Sequence, residues 1–90
     1  MVKNIQATCT EICGYIKEEV KEGDKIELSL GRCYIPGRII TNNDGVLQIE
    51  VDSESIKGLS CIDVVDLKEF LVELKHEHPD GTRVLEALDD

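Results

Sequence analysis

Two pairs of residues have side chains that could bind a metal ion. Cys9 and Cys13 lie four residues apart in a predicted helix, and His76 and His78 flank the end of another predicted helix. If those helix ends pack together, two thiolates and two imidazoles could form a tetrahedral zinc site. Both cysteines also belong to an apolar helical stripe, and the histidines resemble the exposed end of a charged helix. Neither pair has the tight loop spacing of a zinc knuckle, so a zinc-stabilised domain is an alternative hypothesis.

The other reactive side chains do not form a catalytic pattern. A cysteine nucleophile needs a nearby base and a lowered pKa, whereas acidic surroundings raise the pKa of a thiol. The sequence contains no phosphate-binding glycine loop, serine elbow or calcium loop. The glutamates follow the spacing of solvated helix surfaces, as in Glu18, Glu19 and Glu22 and again in Glu69, Glu73 and Glu77. We therefore predict a protein that is not an enzyme and uses no cofactor.

Length and charge restrict the class of protein. The 90 residues fit a single domain over 1–90. Nineteen acidic and ten basic residues give a formal net charge of -9, which disfavours nucleic acid and anionic membranes as partners. The sequence has no run of about 18 apolar residues and no secretory leader pattern. We therefore expect a cytoplasmic protein whose four cysteines are reduced.

Apolar residues recur every three or four positions near the N-terminus. They are Ile5, Cys9, Ile12, Cys13, Ile16 and Val20. This spacing places them on one face of a helix, which we predict over residues 4–22 with Gly23 ending it. Gly14 lowers the intrinsic helix propensity, so this helix should depend on packing against another element.

A β-rich core is predicted over residues 25–65. The apolar period changes to two in KIELSL (25–30), which is typical of a half-buried strand. YIPGRIIT (34–41) and VLQIEVD (46–52) are predicted strands joined by a polar turn, NNDG (42–45), whose residues tolerate positive φ. Pro36 and Gly37 indicate that their strand begins at a sheet edge or bends there. IKGLSCIDVV (56–65) is apolar on both sides, which favours a strand covered on both faces.

A second helix is predicted over residues 66–78. Asp66 and Glu69 match a capping box at its start, and Pro79 prevents its continuation. Its buried face would contain Leu67, Phe70, Leu71 and Leu74. A short helical turn is predicted over 82–88, with Val84, Leu85 and Leu88 as its contact residues. The predicted fold class is therefore α+β, a small bent antiparallel barrel or curled sheet with an N-terminal helix and a C-terminal helix.

Three short motifs stand out: Gly31 and Gly37, then DGVLQIEV (44–51), then IKG (56–58). They resemble motifs of the Sm-like proteins, the group that includes bacterial Hfq. Gly31 and Gly37 stand where that family has two glycines around a bent strand. DGVLQIEV (44–51) is similar to the family's aspartate followed by a hydrophobic–Asn–hydrophobic strand, with Gln48 at the asparagine position. IKG (56–58) is similar to its hydrophobic–basic–glycine triplet. The resemblance covers residues 5 to 66. It implies a small Sm-like barrel preceded by a helix, and SH3-like barrels share much of the same alternation.

The resemblance also implies a function. An Sm-like chain would form a ring that binds uridine-rich single-stranded RNA, with Asp44 and Gln48 beside the base and Arg32 or Lys57 near phosphate. The acidic composition is unfavourable for RNA, and Tyr34 is the only aromatic residue of the predicted barrel. Single-stranded RNA binding therefore remains an alternative.

Our principal prediction is a small non-catalytic binding or adaptor module. A strand that begins at Pro36–Gly37 would leave a sheet edge able to accept another strand. Both predicted helices also carry more apolar residues than one small sheet needs to cover. We therefore expect the partner to be another protein or a second copy of the chain, with a homo-oligomer as the expected state.

Overall fold

The chain folds into one seven-stranded sheet packed against a helix. The computed structural model describes residues 2–31, 33–52 and 57–88. The helices are α1 (Cys9–Glu19) and α2 (Val64–Leu67), and a 3₁₀ turn (Lys68–Phe70) directly follows α2. The strands are β1 (Val2–Ala7), β2 (Lys25–Leu30), β3 (Cys33–Asn43), β4 (Val46–Asp52), β5 (Lys57–Asp63), β6 (Glu73–His78) and β7 (Gly81–Ala87).

The strand order is β1-β7-β6-β2-β3-β4-β5. Strands β1 and β7 pair in parallel, and the other neighbours pair antiparallel. Within the described ranges, β1 and β5 lie at the two ends of the sheet and do not pair with each other. The predicted combination of a small sheet with helices is thus confirmed, whereas the sheet does not close into a barrel.

The hydrophobic core lies between α1 and one face of the sheet. Strands β2 and β4 alternate between buried and more exposed residues, as predicted for half-buried strands. The outer face of the sheet, which carries the intervening residues such as Lys25 and Glu50, points away from α1. The buried side chains include Ile12, Cys13, Ile16 and Val20 from the α1 segment, Ile26, Leu28 and Leu30 from β2, and Leu47, Ile49 and Val51 from β4.

The β3–β4 hairpin forms where the sequence predicts it. Asp44 and Gly45 make its turn with positive φ angles of 50° and 91°. Aspartate tolerates this left-handed region and glycine has no Cβ, so the pair suits a tight two-residue turn. The Asn42 side chain accepts from the Gly45 amide and donates to the Ile16 and Val20 carbonyls. These bonds fasten the hairpin to the C-terminal end of α1.

The first helix is shorter than the predicted range 4–22, because residues 2–7 form β1. Pairing with β7 satisfies the backbone groups of this segment in the sheet. The Thr8 hydroxyl accepts from the Glu11 amide, and the Glu11 carboxylate accepts from the Thr8 amide, each at 3.1 Å. This capping box fixes the start of α1. The helix ends at Glu19 with Val20, rather than Gly23, as its C-cap.

The predicted helix over 66–78 is wrong for most of its length. Helix α2 covers only Val64–Leu67, and its N-cap is Asp63, whose Oδ1 accepts from the Val65 amide at 3.0 Å. Residues 73–78 form β6, which pairs with β2 on one side and β7 on the other. Glutamate, leucine and lysine favour a helix locally, but pairing with strands on both sides outweighs that preference.

The helical turn predicted over 82–88 is also wrong, because Gly81–Ala87 forms β7 between β1 and β6. Leu85 is buried as predicted, but it faces the core as an alternate residue of a strand, and Leu88 is exposed. The β6–β7 connection places Pro79 and Asp80 between paired His78 and Gly81. A proline, an aspartate and a glycine in succession suit this turn, because proline fixes its own φ and glycine adopts positive φ freely.

Strand β3 is not a sheet edge at Pro36–Gly37, contrary to one of the two sequence alternatives. Gly37 lies opposite Ile26 of β2 on one side and Val51 of β4 on the other. A Cβ on Gly37 would lie 2.5 Å from the Glu50 carbonyl oxygen. The glycine therefore permits a close approach of β3 to β4 inside the sheet.

Replacing Gly14 with alanine should stabilise the protein by about 1 kcal/mol. Gly14 lies inside α1, and no atom outside its helical neighbourhood lies within 4 Å of a Cβ built there. Alanine would restrict the unfolded chain without a steric cost in the folded one. Urea unfolding would measure the gain, and an unchanged or lower midpoint at equal slope would contradict it.

Candidate functional site

Four side chains form a hydrogen-bonded chain across the core face of the sheet. His76 Nε2 lies 2.8 Å from Asp24 Oδ2, and His76 Nδ1 lies 2.6 Å from the Tyr15 hydroxyl. Arg83 Nη1 donates to the same Tyr15 hydroxyl at 3.4 Å. We call these four residues the His76 network. It joins α1, the loop before β2, β6 and β7.

The strand pairing brings the His76 network together. His76 lies opposite Ile26 of β2 and Arg83 of β7, so it points toward α1 with the core residues. Its side chain is 0% exposed, and among the described residues it is the one polar or charged residue that is buried. Tyr15 comes from the middle of α1, three residues after Ile12, and reaches His76 over the sheet. A buried imidazole is costly unless both ring nitrogens have partners, and both do here.

The Asp24 carboxylate sets the direction of its hydrogen bond with His76. Partial burial acts to raise the pKa of Asp24, but hydrogen bonds from the Lys21 amide and from His76 outweigh it and leave this pKa below its ordinary value. An ionised carboxylate can only accept, so His76 Nε2 carries a proton. In the neutral imidazole, Nδ1 then accepts from the Tyr15 hydroxyl.

A hydroxyl, an imidazole base and an orienting carboxylate are the parts of an activated nucleophile. The imidazole here is fully enclosed by the core. Tyr15, Asp24 and His76 are not among the residues that line the two cavities described for this protein. The hydrogen bonds of the network instead link α1, the loop before β2, β6 and β7, and they hold these elements together.

The larger cavity is an open groove of about 760 Å³ on the outer face of the sheet. We call it the outer groove. Its wall at one end is formed by Gly58 and Leu59 of the edge strand β5. Its uncharged lining includes Pro36, Gly37, Gly58 and Leu59, together with Ile26 and Val51, whose side chains face the core. Its charged lining is Lys25, Glu27, Arg38, Glu50, Asp52, Lys75 and Glu77.

Charges of both signs lie side by side across the strands in the outer groove. In one cross-strand row, Glu77 lies opposite Lys25, Lys25 opposite Arg38, and Arg38 opposite Glu50. In the next row, Lys75 Nζ lies 3.4 Å from Glu27 Oε2. The first row ends at Leu59, which lies opposite Glu50 and is 65% exposed. The groove thus combines both signs of charge with an apolar side chain at the sheet edge.

The four residues of the zinc hypothesis each have other contacts. Cys9 Sγ lies 3.8 Å from the Leu71 carbonyl oxygen, and Cys13 Sγ lies 3.5 Å from that of Val64. Burial raises the pKa of the Cys13 thiol, which favours its protonated form. Across the described ranges, no three His, Cys, Asp or Glu residues are grouped as metal ligands. The geometry of these ranges gives the zinc hypothesis no support.

The prediction that both histidines lie at an exposed helix end is wrong. His76 is buried in β6, and His78 is the last residue of that strand, with Nδ1 3.5 Å from Asp80 Oδ2. Strand alternation explains the difference, because residues 74 and 76 both point to the core.

The residues implied by the Sm-like resemblance occupy separate positions. Asp44 lies in the β3–β4 turn, whereas Gln48 lies within β4 opposite Thr41 and Cys61, exposed on the outer face. Arg32 lies outside the described residues. Lys57 is the first residue of β5, and its side chain also lies outside the described part. RNA binding by these residues therefore stays a prediction.

A comparison with known protein families identifies the family of this chain. Residues 3–86 match the model of DUF2097, described as an uncharacterized protein conserved in archaea. The chain belongs to this family. No curated protein and no solved structure matches this DUF2097 chain. Among its described residues, no helix is both long and apolar enough to cross a membrane.

Sequence reasoning missed the His76 network of this DUF2097 chain. Tyr15 and Asp24 lie 61 and 52 residues from His76, so no local spacing connects them. One signal was present, because Leu74, His76 and His78 alternate with charged residues as in a strand. The capping box at the start of α1 could also have been predicted, since Thr8 and Glu11 have the required spacing.

Replacing Asp24 with asparagine should make the DUF2097 chain less stable by about 1–2 kcal/mol at pH 7, because a charged hydrogen bond to His76 is lost. The folded-state pKa of Asp24 is lowered, so its stabilisation is present above the unfolded value near 3.9 and is lost as pH falls through the folded value. The difference in unfolding free energy between the two proteins should therefore shrink from pH 5 downward. Urea unfolding between pH 7 and pH 3 measures this difference, and a constant difference would contradict the assignment.

Proposed function

We propose that this protein is a small non-catalytic binding module that takes an extended segment of a protein partner along strand β5. The observation that carries the proposal is the β5 edge, which pairs with no further strand in the described ranges, forms one wall of the outer groove and presents Leu59 to solvent. An edge strand offers free backbone donors and acceptors, and a neighbouring groove can receive alternate side chains of the added strand.

The charge pattern of the outer groove favours a protein over a nucleic acid. The groove contains Lys25, Arg38 and Lys75, but four carboxylates lie among them: Glu27, Glu50, Asp52 and Glu77. A phosphate backbone would be repelled by this surface and by a net charge of -9. A polypeptide with side chains of both signs would match it.

We also propose that the chain has a small Sm-like or SH3-like architecture. A helix followed by four antiparallel strands, with close approach at Gly37, supports the small bent Sm-like or SH3-like architecture that the sequence motifs imply. In this four-stranded segment β2 pairs with β6, and β5 is the edge that has no further neighbour in the described ranges.

The test compares two edge variants as affinity baits. Leu59→Lys places a charge on the β5 edge, and Val2→Lys places the same charge at a residue 61% exposed on the β1 edge. Partners retained by the wild-type protein from the lysate of its source should be lost with Leu59→Lys and kept with Val2→Lys. Equal retention by both variants, or retention of nothing by the wild type, would overturn the proposal.

A further inference from the structure

We propose that the segment added along β5 is β5 of a second copy of this chain, paired antiparallel about a two-fold axis at Ser60. This inference rests on the proposed function, because it names the partner at the same edge. In this register position 57 of one copy lies opposite position 63 of the other, 58 opposite 62, and 59 opposite 61.

The sequence of β5 is complementary to itself in that register. The strand reads KGLSCID, with a lysine at position 57 and an aspartate at position 63. Antiparallel pairing about Ser60 places opposite charges across the interface at both ends of the strand. Opposite charges directly across a strand pair are favourable, whereas like charges are unfavourable.

The outer-face residues of β5 also match. Leu59 and Cys61 lie opposite Glu50 and Gln48 of the outer face, and both are exposed. In the proposed pairing, Leu59 of each copy contacts Cys61 of the other on the outer face. The most exposed apolar side chain of the described residues is thereby covered.

The β1 edge does not offer an equivalent interface. The strand reads VKNIQA and carries one charged residue, Lys3, so self-pairing gains no opposite charge. Pairing β5 of one copy with β1 of another would be a head-to-tail contact, which closes only as a ring of several copies or continues as an open filament. Pairing β5 with itself uses the same edge of both copies and closes as a dimer.

Sedimentation equilibrium with charge variants tests the register. Lys57→Glu should weaken the dimer about tenfold in Kd, because glutamate then faces Asp63 of the partner copy at both ends. Adding Asp63→Asn should restore part of this loss, and asparagine can still cap α2 in place of the Asp63 carboxylate. A dimer whose Kd is the same in wild type and Lys57→Glu would overturn the assignment to β5.

Cross-linking gives a second readout that does not depend on affinity. In the proposed register the two Cys61 residues are diagonal neighbours at about 7–8 Å between Cα atoms, within reach of a short bis-maleimide reagent. Cys33→Ser should retain the cross-linked dimer, and Cys61→Ser, which keeps the exposed Cys33, should lose it. The reverse pattern would place the interface elsewhere.

The outcomes separate this inference from the proposed function. A dimer that weakens with Leu59→Lys and Lys57→Glu but not with Val2→Lys supports both. A monomer at all accessible concentrations, whose lysate partner is still lost with Leu59→Lys, overturns the second copy and leaves the proposed function standing. A monomer with no partner sensitive to Leu59→Lys overturns both.

Discussion

Replacing His76 with leucine is expected to lower the free energy of unfolding by about 3 kcal/mol. Leucine is similar in size, so the loss comes from polar groups rather than from a cavity. The Asp24 carboxylate loses its 2.8 Å partner, and the Tyr15 hydroxyl loses its 2.6 Å partner. Chemical denaturation at pH 7 would measure the change.

Two control variants make this result specific to the His76 network. His78→Leu changes the same residue type in the same strand where the side chain is 25% exposed, so we expect a change below about 1 kcal/mol. Combining His76→Leu with Tyr15→Phe should destabilise less than the sum of the single changes, because the two side chains share a hydrogen bond. Equal effects of the two histidine replacements, or full additivity with Tyr15→Phe, would show that the network does not couple α1 to the sheet.

The second large effect is expected at Gly37. Alanine there would place its Cβ 2.5 Å from the Glu50 carbonyl oxygen and 2.6 Å from Ile49 Cγ2. Backbone atoms of a paired strand cannot move aside alone, so β3 must shift away from β4, at a cost of about 2–3 kcal/mol. Denaturation would show this as a lower midpoint, and amide exchange should increase in β3 and β4 before other strands.

Gly14→Ala is the matched control for Gly37→Ala. Both replacements add one methyl group, but the Cβ at Gly14 meets nothing within 4 Å. Opposite signs for the two variants would assign the cost at position 37 to the contact with β4. A destabilisation of equal size at both positions would instead indicate a general intolerance of alanine.

The proposed partner site gives the two faces of the sheet different roles. The face toward α1 is closed by aliphatic side chains and the His76 network. The outer face remains open, carries charges of both signs in the outer groove, and ends at the β5 edge with the exposed Leu59. Variants at Leu59 or Lys57 should therefore change association while leaving stability nearly unchanged, and variants at His76 or Gly37 should do the opposite.

The β3–β4 hairpin shows what local sequence information can predict. Leu47, Ile49 and Val51 alternate with polar residues, and Asp44–Gly45 supplies the positive φ angles that the turn requires. Both signals depend on residues within a few positions of each other. The strand, the turn and the inward face could therefore be predicted without knowledge of the rest of the chain.

Residues 73–87 show the limit of that information. Glutamate, lysine and leucine favour a helix by propensity, yet this segment forms β6 and β7 because β2 and β1 lie beside it. The prediction of a sheet edge in β3 failed for the same reason. Among the described strands, β3 has a neighbour on both sides, whereas β5 has a neighbour on one side. Strand order depends on contacts between distant segments, which no local pattern encodes.

The sequence by itself determined the aliphatic core positions of β2 and β4, the Asp-Gly hairpin and the acidic character of the chain, because each depends on residue type and short-range spacing. The tertiary structure alone decided that His76 is buried between Tyr15 and Asp24, and that β5 is an open edge beside the outer groove. Those features arise when strands far apart in sequence pair, since pairing determines which side chains meet and which backbone groups stay free.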